Sequence, residues 1–172
     1  MALPVTSLRS RMTRRMSDVP LLWEPYDRHW IRLRGPWDIT WHDGEGGIES
    51  PRRVKLPASW SELFENRSGT ARFERRFQRP TNLDADERVV ITICEVKCTV
   101  MAMLNNETLS PLREPLGDPA NVPGKDPLSF DVTDLLRSTN LLSLELSVSE
   151  PISSETPCGL WQPVFLEVIT LV

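Results

Sequence analysis

Leu141-Leu142-Ser143-Leu144-Glu145-Leu146-Ser147-Val148 reads as a strand before any other part of the chain does. Leu142, Leu144, Leu146 and Val148 occupy alternate positions, with Ser143, Glu145 and Ser147 between them. Successive side chains of a strand point to opposite faces, so this period of two gives one apolar face and one polar face. The same reading extends upstream. Trp37, Ile39 and Trp41 alternate with Asp38 and Thr40, and Asp43-Gly44-Glu45-Gly46-Gly47 supplies a hairpin-like break. Val54-Lys55-Leu56 is a short strand stopped by Pro57, and Ala71 to Gln78, carrying Phe73 and Phe77, is another that ends before Pro80. Arg88–Val96 and Thr99–Leu104 are apolar on both faces, as expected of central strands covered on each side. Leu128–Val132 precedes the opening stretch, and Val164, Leu166 and Val168 close the series. With no convincing amphipathic helix between these runs, the pattern predicts an all-β chain folded as an antiparallel β-sandwich.

Composition agrees. The chain has 172 residues, room for one domain and a tail, and its 40% hydrophobic and 26% charged content is that of a soluble protein. Its 15 prolines oppose long helices, because proline removes a backbone donor and clashes with the preceding turn. Charge is uneven. Arg9, Arg11, Arg14 and Arg15 face only Asp18 in residues 1–20, while the remainder is acidic enough to bring the whole to −4. Residues 1–20 are therefore expected to be a basic, flexible arm and 21–172 the sandwich domain. An acidic body does not suit nucleic acid. No apolar run reaches the roughly 18 residues of a membrane span, and Arg9 interrupts the only start that could read as a leader.

Cys94 and Cys98, on an extended stretch, would lie about 13 Å apart, too far for a disulfide. With Cys158 the three cysteines fit no metal spacing and read as buried, reduced thiols, which points to a cytoplasmic setting. Two segments stand outside the strand pattern. Residues 1–30 are aperiodic, with Trp23, Tyr26 and Trp30 near their end, and are expected to form the arm followed by a strap over the sandwich. Residues 105–127 carry a proline at every fourth position from Pro111 to Pro127 and are expected to form a long ordered connection.

Six pieces of sequence fall in one order: Leu33-Arg34-Gly35-Pro36-Trp37-Asp38-Ile39, Lys55-Leu56-Pro57-Ala58-Ser59-Trp60, Gly69-Thr70-Ala71-Arg72-Phe73-Glu74-Arg75-Arg76-Phe77, Asp131-Val132-Thr133-Asp134-Leu135-Leu136, Asn140-Leu141-Leu142, and Cys158-Gly159-Leu160-Trp161-Gln162-Pro163-Val164-Phe165-Leu166-Glu167. Across roughly residues 30–170 they resemble successive strands and turns of the N-terminal sugar-binding domain of family 2 glycoside hydrolases. The resemblance implies a jelly-roll sandwich of the galactose-binding-domain-like type. It implies no catalytic site, because that family's catalytic acids sit in a barrel for which this chain has no counterpart.

The residues of these motifs read mainly as structure. Trp37 and Trp161 are core groups rather than ligand platforms, and Asp131 or Thr133 caps a short turn through Leu135 and Leu136. His29 and His42 are isolated, and neither a nucleophile elbow nor a phosphate loop nor a metal motif is present in the sequence. No enzyme constellation can be assembled, and no cofactor is implied. The leading expectation is a non-catalytic carbohydrate-binding or carbohydrate-associated module, with Trp23, Tyr26, Trp30 and Trp60 as candidate sugar platforms. The alternatives are a domain that docks a separate protein partner, for example a catalytic subunit, and a remnant domain with no ligand.

Overall fold

Strand β4 (Gly69–Gln78) and strand β9 (Thr139–Val148), ten residues each, pair antiparallel along their whole length, from Gly69 opposite Val148 to Gln78 opposite Thr139. In this register Ala71 and Phe73 lie beside Leu146 and Leu144 on the buried side, the face that the Leu142–Val148 alternation demanded. Beyond β4 come β2 (Trp37–His42) and β3 (Arg52–Val54), and beyond β9 come β6 (Thr99–Leu104) and β7 (Glu107–Thr108). This six-stranded sheet, ordered β3-β2-β4-β9-β6-β7, packs on a four-stranded sheet of β1 (Arg28–Arg32), β10 (Val164–Thr170), β5 (Glu87–Ile93) and β8 (Leu128–Asp131), in that order. All pairings are antiparallel. The protein is thus an antiparallel jelly-roll β-sandwich. The structure, a computed structural model, describes residues 28–42, 47–65, 67–114, 116, 126–149 and 157–170. The basic arm, residues 1–20, and the break at Asp43–Gly46 lie outside them.

The core lies between the sheets. Trp37, Ile39, Phe73, Ile91, Ile93, Leu104, Leu142, Leu144, Leu146 and Leu166 are fully buried. Polar caps close its ends. Asp131 accepts from the Thr133 amide at 3.0 Å and from its hydroxyl at 2.6 Å, beside the 3-10 turn Thr133–Leu135, while Thr133 Oγ1 accepts from Val89 N at 2.9 Å. Asn140 Oδ1 accepts from Arg137 N at 2.8 Å and from Asn105 Nδ2 at 3.0 Å.

Four expectations change in detail. Arg28–Arg32 is an edge strand paired with β10 rather than part of a strap; its mixed charged and apolar residues hide any alternation. Residues 105–127 are not one connection, because Asn105 and Asn106, at φ 53° and 70°, make the tight turn of a hairpin into β7. β6 is not covered on both faces, since Met101 is 44% exposed. A short helix α1 (Trp60–Phe64) follows Pro57. Its capping box, with Ser59 Oγ accepting from Glu62 N at 3.3 Å and Glu62 Oε2 accepting from Ser59 N at 2.6 Å, is the Ser-x-x-Glu pattern visible in the sequence.

The side of the four-stranded sheet that faces away from the core is also buried. Val90, Thr92, Ser129, Glu167 and Ile169 are all nearly inaccessible. Leu112 N donates to Ser129 O at 2.8 Å and the Leu116 carbonyl accepts from the Arg28 guanidinium, so the chain after β7 returns to this sheet.

Candidate functional site

The four candidate sugar platforms do not form one surface. Trp60 opens α1 and is completely buried, with its ring 4.7 Å from Phe64 and 5.7 Å from Trp41, and its Nε1 donating to Arg67 O at 2.8 Å. The reason is a lock between two of the motif segments. Trp60 N donates to Cys158 O at 2.8 Å and Ala58 N donates to Leu160 O at 3.0 Å. Gly159 sits between these acceptors at φ 82°, where a Cβ would lie 3.2 Å from Trp60 N. Trp60 therefore presents no ring face to a ligand, which corrects its assignment as a platform. Trp30 is half-buried on the far side of the four-stranded sheet, edge-on to Phe165 at 5.0 Å and 5.5 Å from the Arg28 guanidinium. Trp23 and Tyr26 lie outside the described residues. Of the two tryptophans read as core, Trp37 is fully buried and bonds Leu33 O at 2.7 Å, while Trp161 is half-buried beneath Lys97.

Beside Trp30 is an ion pair that the sequence did not announce. Arg28 Nη1 meets Glu167 Oε2 at 3.0 Å, with the two side chains only 7% and 1% exposed. Burial pushes the Glu167 carboxyl above its ordinary value, against the opposing pull of Thr92 and Arg28. Its Oε1 is buried without a geometric hydrogen-bond partner, and the adjacent Thr92 hydroxyl is engaged with Ser129 at 3.0 Å. Burial, reinforced by Glu167, also raises the Cys94 thiol to about 11. The other two cysteines influence each other: Cys158 raises Cys98 and Cys98 lowers Cys158, while the Cys158 thiol donates to Lys97 O at 3.2 Å. All three thiols are free, as their spacing suggested for Cys94 and Cys98.

Two open hollows flank the exposed edge of the sandwich beside β1. One, of about 440 Å³, is lined by His29, Ile31, Thr81, Asn82, Glu87 and Val168 among others. It joins polar donors and acceptors to an apolar floor, the combination that suits a small polar ligand. The second, of about 350 Å³, is lined by Ile31, Leu33, Phe77 and Leu166 below and by Arg32, Arg75 and Arg76 at its rim. Asp38 and Glu74, directly opposite each other on β2 and β4, line a smaller hollow of about 170 Å³, where Asp38 is paired with Arg53 at 3.2 Å. Among the described residues no group of three or more His, Cys, Asp or Glu side chains could hold a metal ion, and no helix is long and apolar enough to cross a membrane.

No protein-family model matches the chain. No curated protein matches it in sequence. Solved structures do. An FMN-binding beta-glucuronidase from Faecalibacterium prausnitzii L2-6 aligns over 82% of this chain with a TM-score of 0.61 and 22% identity. A beta-glucuronidase from an uncultured Clostridium sp. aligns over 99% with a TM-score of 0.62 and 18% identity. One from Ruminococcus gnavus, in complex with a C6-substituted uronic isofagomine, aligns over 87% with a TM-score of 0.63 and 13% identity. The sandwich shares its fold with one part of these enzymes. The chain spans 22%, 31% and 30% of their respective lengths.

Proposed function

We propose that this chain is a non-catalytic carbohydrate-binding or carbohydrate-associated module related to the N-terminal sugar-binding domain of family 2 glycosidases. The observation that carries the reading is the shared fold, aligned over most of this chain yet under a third of each beta-glucuronidase. The six ordered sequence motifs support it independently, and two of them meet physically where Gly159 packs on Trp60. With Trp60 withdrawn into the core, the face that best suits a sugar is the 440 Å³ hollow. His29, Thr81, Asn82 and Glu87 would bond hydroxyls there, while Ile31 and Val168 would take a C–H face. Among the described residues Trp30 is the remaining aromatic candidate, on the other side of the same sheet; Trp23 and Tyr26 lie outside them.

The test is an NMR titration of the full chain with glucuronides, galactosides and mannosides. Saturable shifts centred on His29 and Asn82 support the hollow, and shifts centred on Trp30 support the opposite side. No response to any sugar at millimolar concentration refutes carbohydrate binding.

A second reading is favoured by a different observation. The open face of β6 carries Met101, 44% exposed, with half-buried Met103. Docking onto a separate protein would use such a face. Met101→Lys would abolish a co-purifying complex on this reading and leave sugar shifts unaltered.

A further inference from the structure

β4 outruns its neighbour. Its pairing with β2 ends at Glu74 opposite Asp38, so, among the described residues, 75–78 have β9 on one side and no paired strand on the other. The 350 Å³ cleft opens at this unpaired edge, between Arg75–Gln78 of β4 and Ile31–Leu33 at the end of β1. Its floor is apolar: Leu33, Phe77 and Leu166 are buried and Ile31 is half-buried. Three arginines, Arg32, Arg75 and Arg76, are among its lining residues, and no Asp or Glu is. In a chain of net charge −4 that local excess does not follow from composition.

The three arginines are also underused. Arg32 and Arg76 are exposed and make no side-chain hydrogen bond or ion pair among the described residues. Arg75 donates from Nη1 to Pro36 O at 2.8 Å, which anchors the group, while its Nε is buried without a partner. A buried charged donor left unpaired is costly, so an acceptor at this position would recover stability. Asp38 and Glu74 lie in the neighbouring hollow, which Arg75 and Arg76 also line.

We propose that this cleft binds a small organic carboxylate, with the carboxyl group held by Arg32, Arg75 and Arg76 and the apolar body of the ligand on Ile31, Leu33, Phe77 and Leu166. A planar carboxylate matches the guanidinium fork, and the three-to-four balance of cationic and apolar side chains selects a ligand with one charged end. A volume of about 350 Å³ lies at the lower end of small-molecule sites and suits a single-ring acid. The site is independent of the carbohydrate reading and shares only Ile31 with the larger hollow.

Benzoate, its neutral counterpart benzamide, and inorganic phosphate are the probes, titrated into the full ¹⁵N-labelled chain at fixed low ionic strength. Benzoate is expected to give saturable shifts at the amides of residues 31–33 and 75–78, at least tenfold tighter than benzamide. Arg76→Gln and Arg32→Gln, both at exposed positions that keep the fold, should each weaken benzoate at least fivefold. Arg53→Gln, in the neighbouring hollow, should leave it unchanged. Equal binding of benzoate and benzamide overturns the role of the arginines, as does an unaltered affinity in Arg76→Gln. Phosphate binding tighter than benzoate overturns the role of the apolar floor. Since no sugar is involved, failure here and failure of carbohydrate binding are separate results.

Discussion

Replacing Trp60 with alanine tests whether this residue is a core anchor or a ligand platform. The indole is fully buried, contacts Trp41 and Phe64, and donates to the Arg67 carbonyl at 2.8 Å. Removing a buried tryptophan side chain costs about 3–5 kcal/mol, and the lost hydrogen bond adds roughly 1 kcal/mol. A total near ~5 kcal/mol is comparable to the lower end of the ~5–15 kcal/mol that holds a domain together. Trp60→Phe keeps most of the ring volume and loses the Arg67 bond, so its effect should be about 1–2 kcal/mol. Urea unfolding followed by circular dichroism is the assay. With an m-value of about 2 kcal/mol/M, Trp60→Ala should lower the midpoint by roughly 2–3 M and Trp60→Phe by less than about 1 M. A loss below about 1 kcal/mol in Trp60→Ala would refute the core assignment, all the more if sugar shifts vanished while the fold persisted.

Four further outcomes are expected. Gly159→Ala forces a Cβ to within 3.2 Å of Trp60 N at φ 82°, and a loss of about 2 kcal/mol or more in chemical denaturation is expected. Asn105→Ala removes the bonds to Leu135 O, Asn140 Oδ1 and Leu141 N at a left-handed φ of 53°, so it should cost about 2–4 kcal/mol, measured the same way. Glu167 titrates above its unfolded value of 4.5, so the folded state holds that proton more tightly. Its contribution favours folding at acid pH and is lost as pH rises from 4.5 through the folded value; Glu167→Gln should flatten that limb of the stability profile, and an unaltered profile would contradict it. Glu62, lowered mainly by its bond from the Ser59 amide, has the opposite sign: its stabilisation is present above 4.5 and fades as pH falls through the folded value.

The candidate site was far less legible than the fold. Trp60 and Trp30 look alike in sequence, each an aromatic in a turn-rich segment, yet one is sealed into the core and the other lies on the opposite side of a sheet. Nothing local separates them, because the burial of Trp60 depends on Cys158 and Gly159, about a hundred residues away. Helix α1 could have been found from Ser59-Trp60-Ser61-Glu62, since a capping box is a local signal. β1 could not, because its five residues gain their meaning only from Phe165 to Ile169 opposite.

Sequence by itself determined what local chemistry can determine. The alternation in Leu141–Val148, the breaks at Pro57 and Pro80, and the Asp131–Leu136 cap specified short antiparallel strands and a sandwich, because side-chain period and turn chemistry act over a few residues. Only the tertiary structure decided which faces remained open. It buried the Arg28–Glu167 pair across 139 positions of chain, aimed the Cys158 thiol at the Lys97 carbonyl, and left Arg32, Arg75 and Arg76 around one cleft. Exposure and charge proximity are set by which strands become neighbours, and in an antiparallel sandwich those neighbours are distant in sequence.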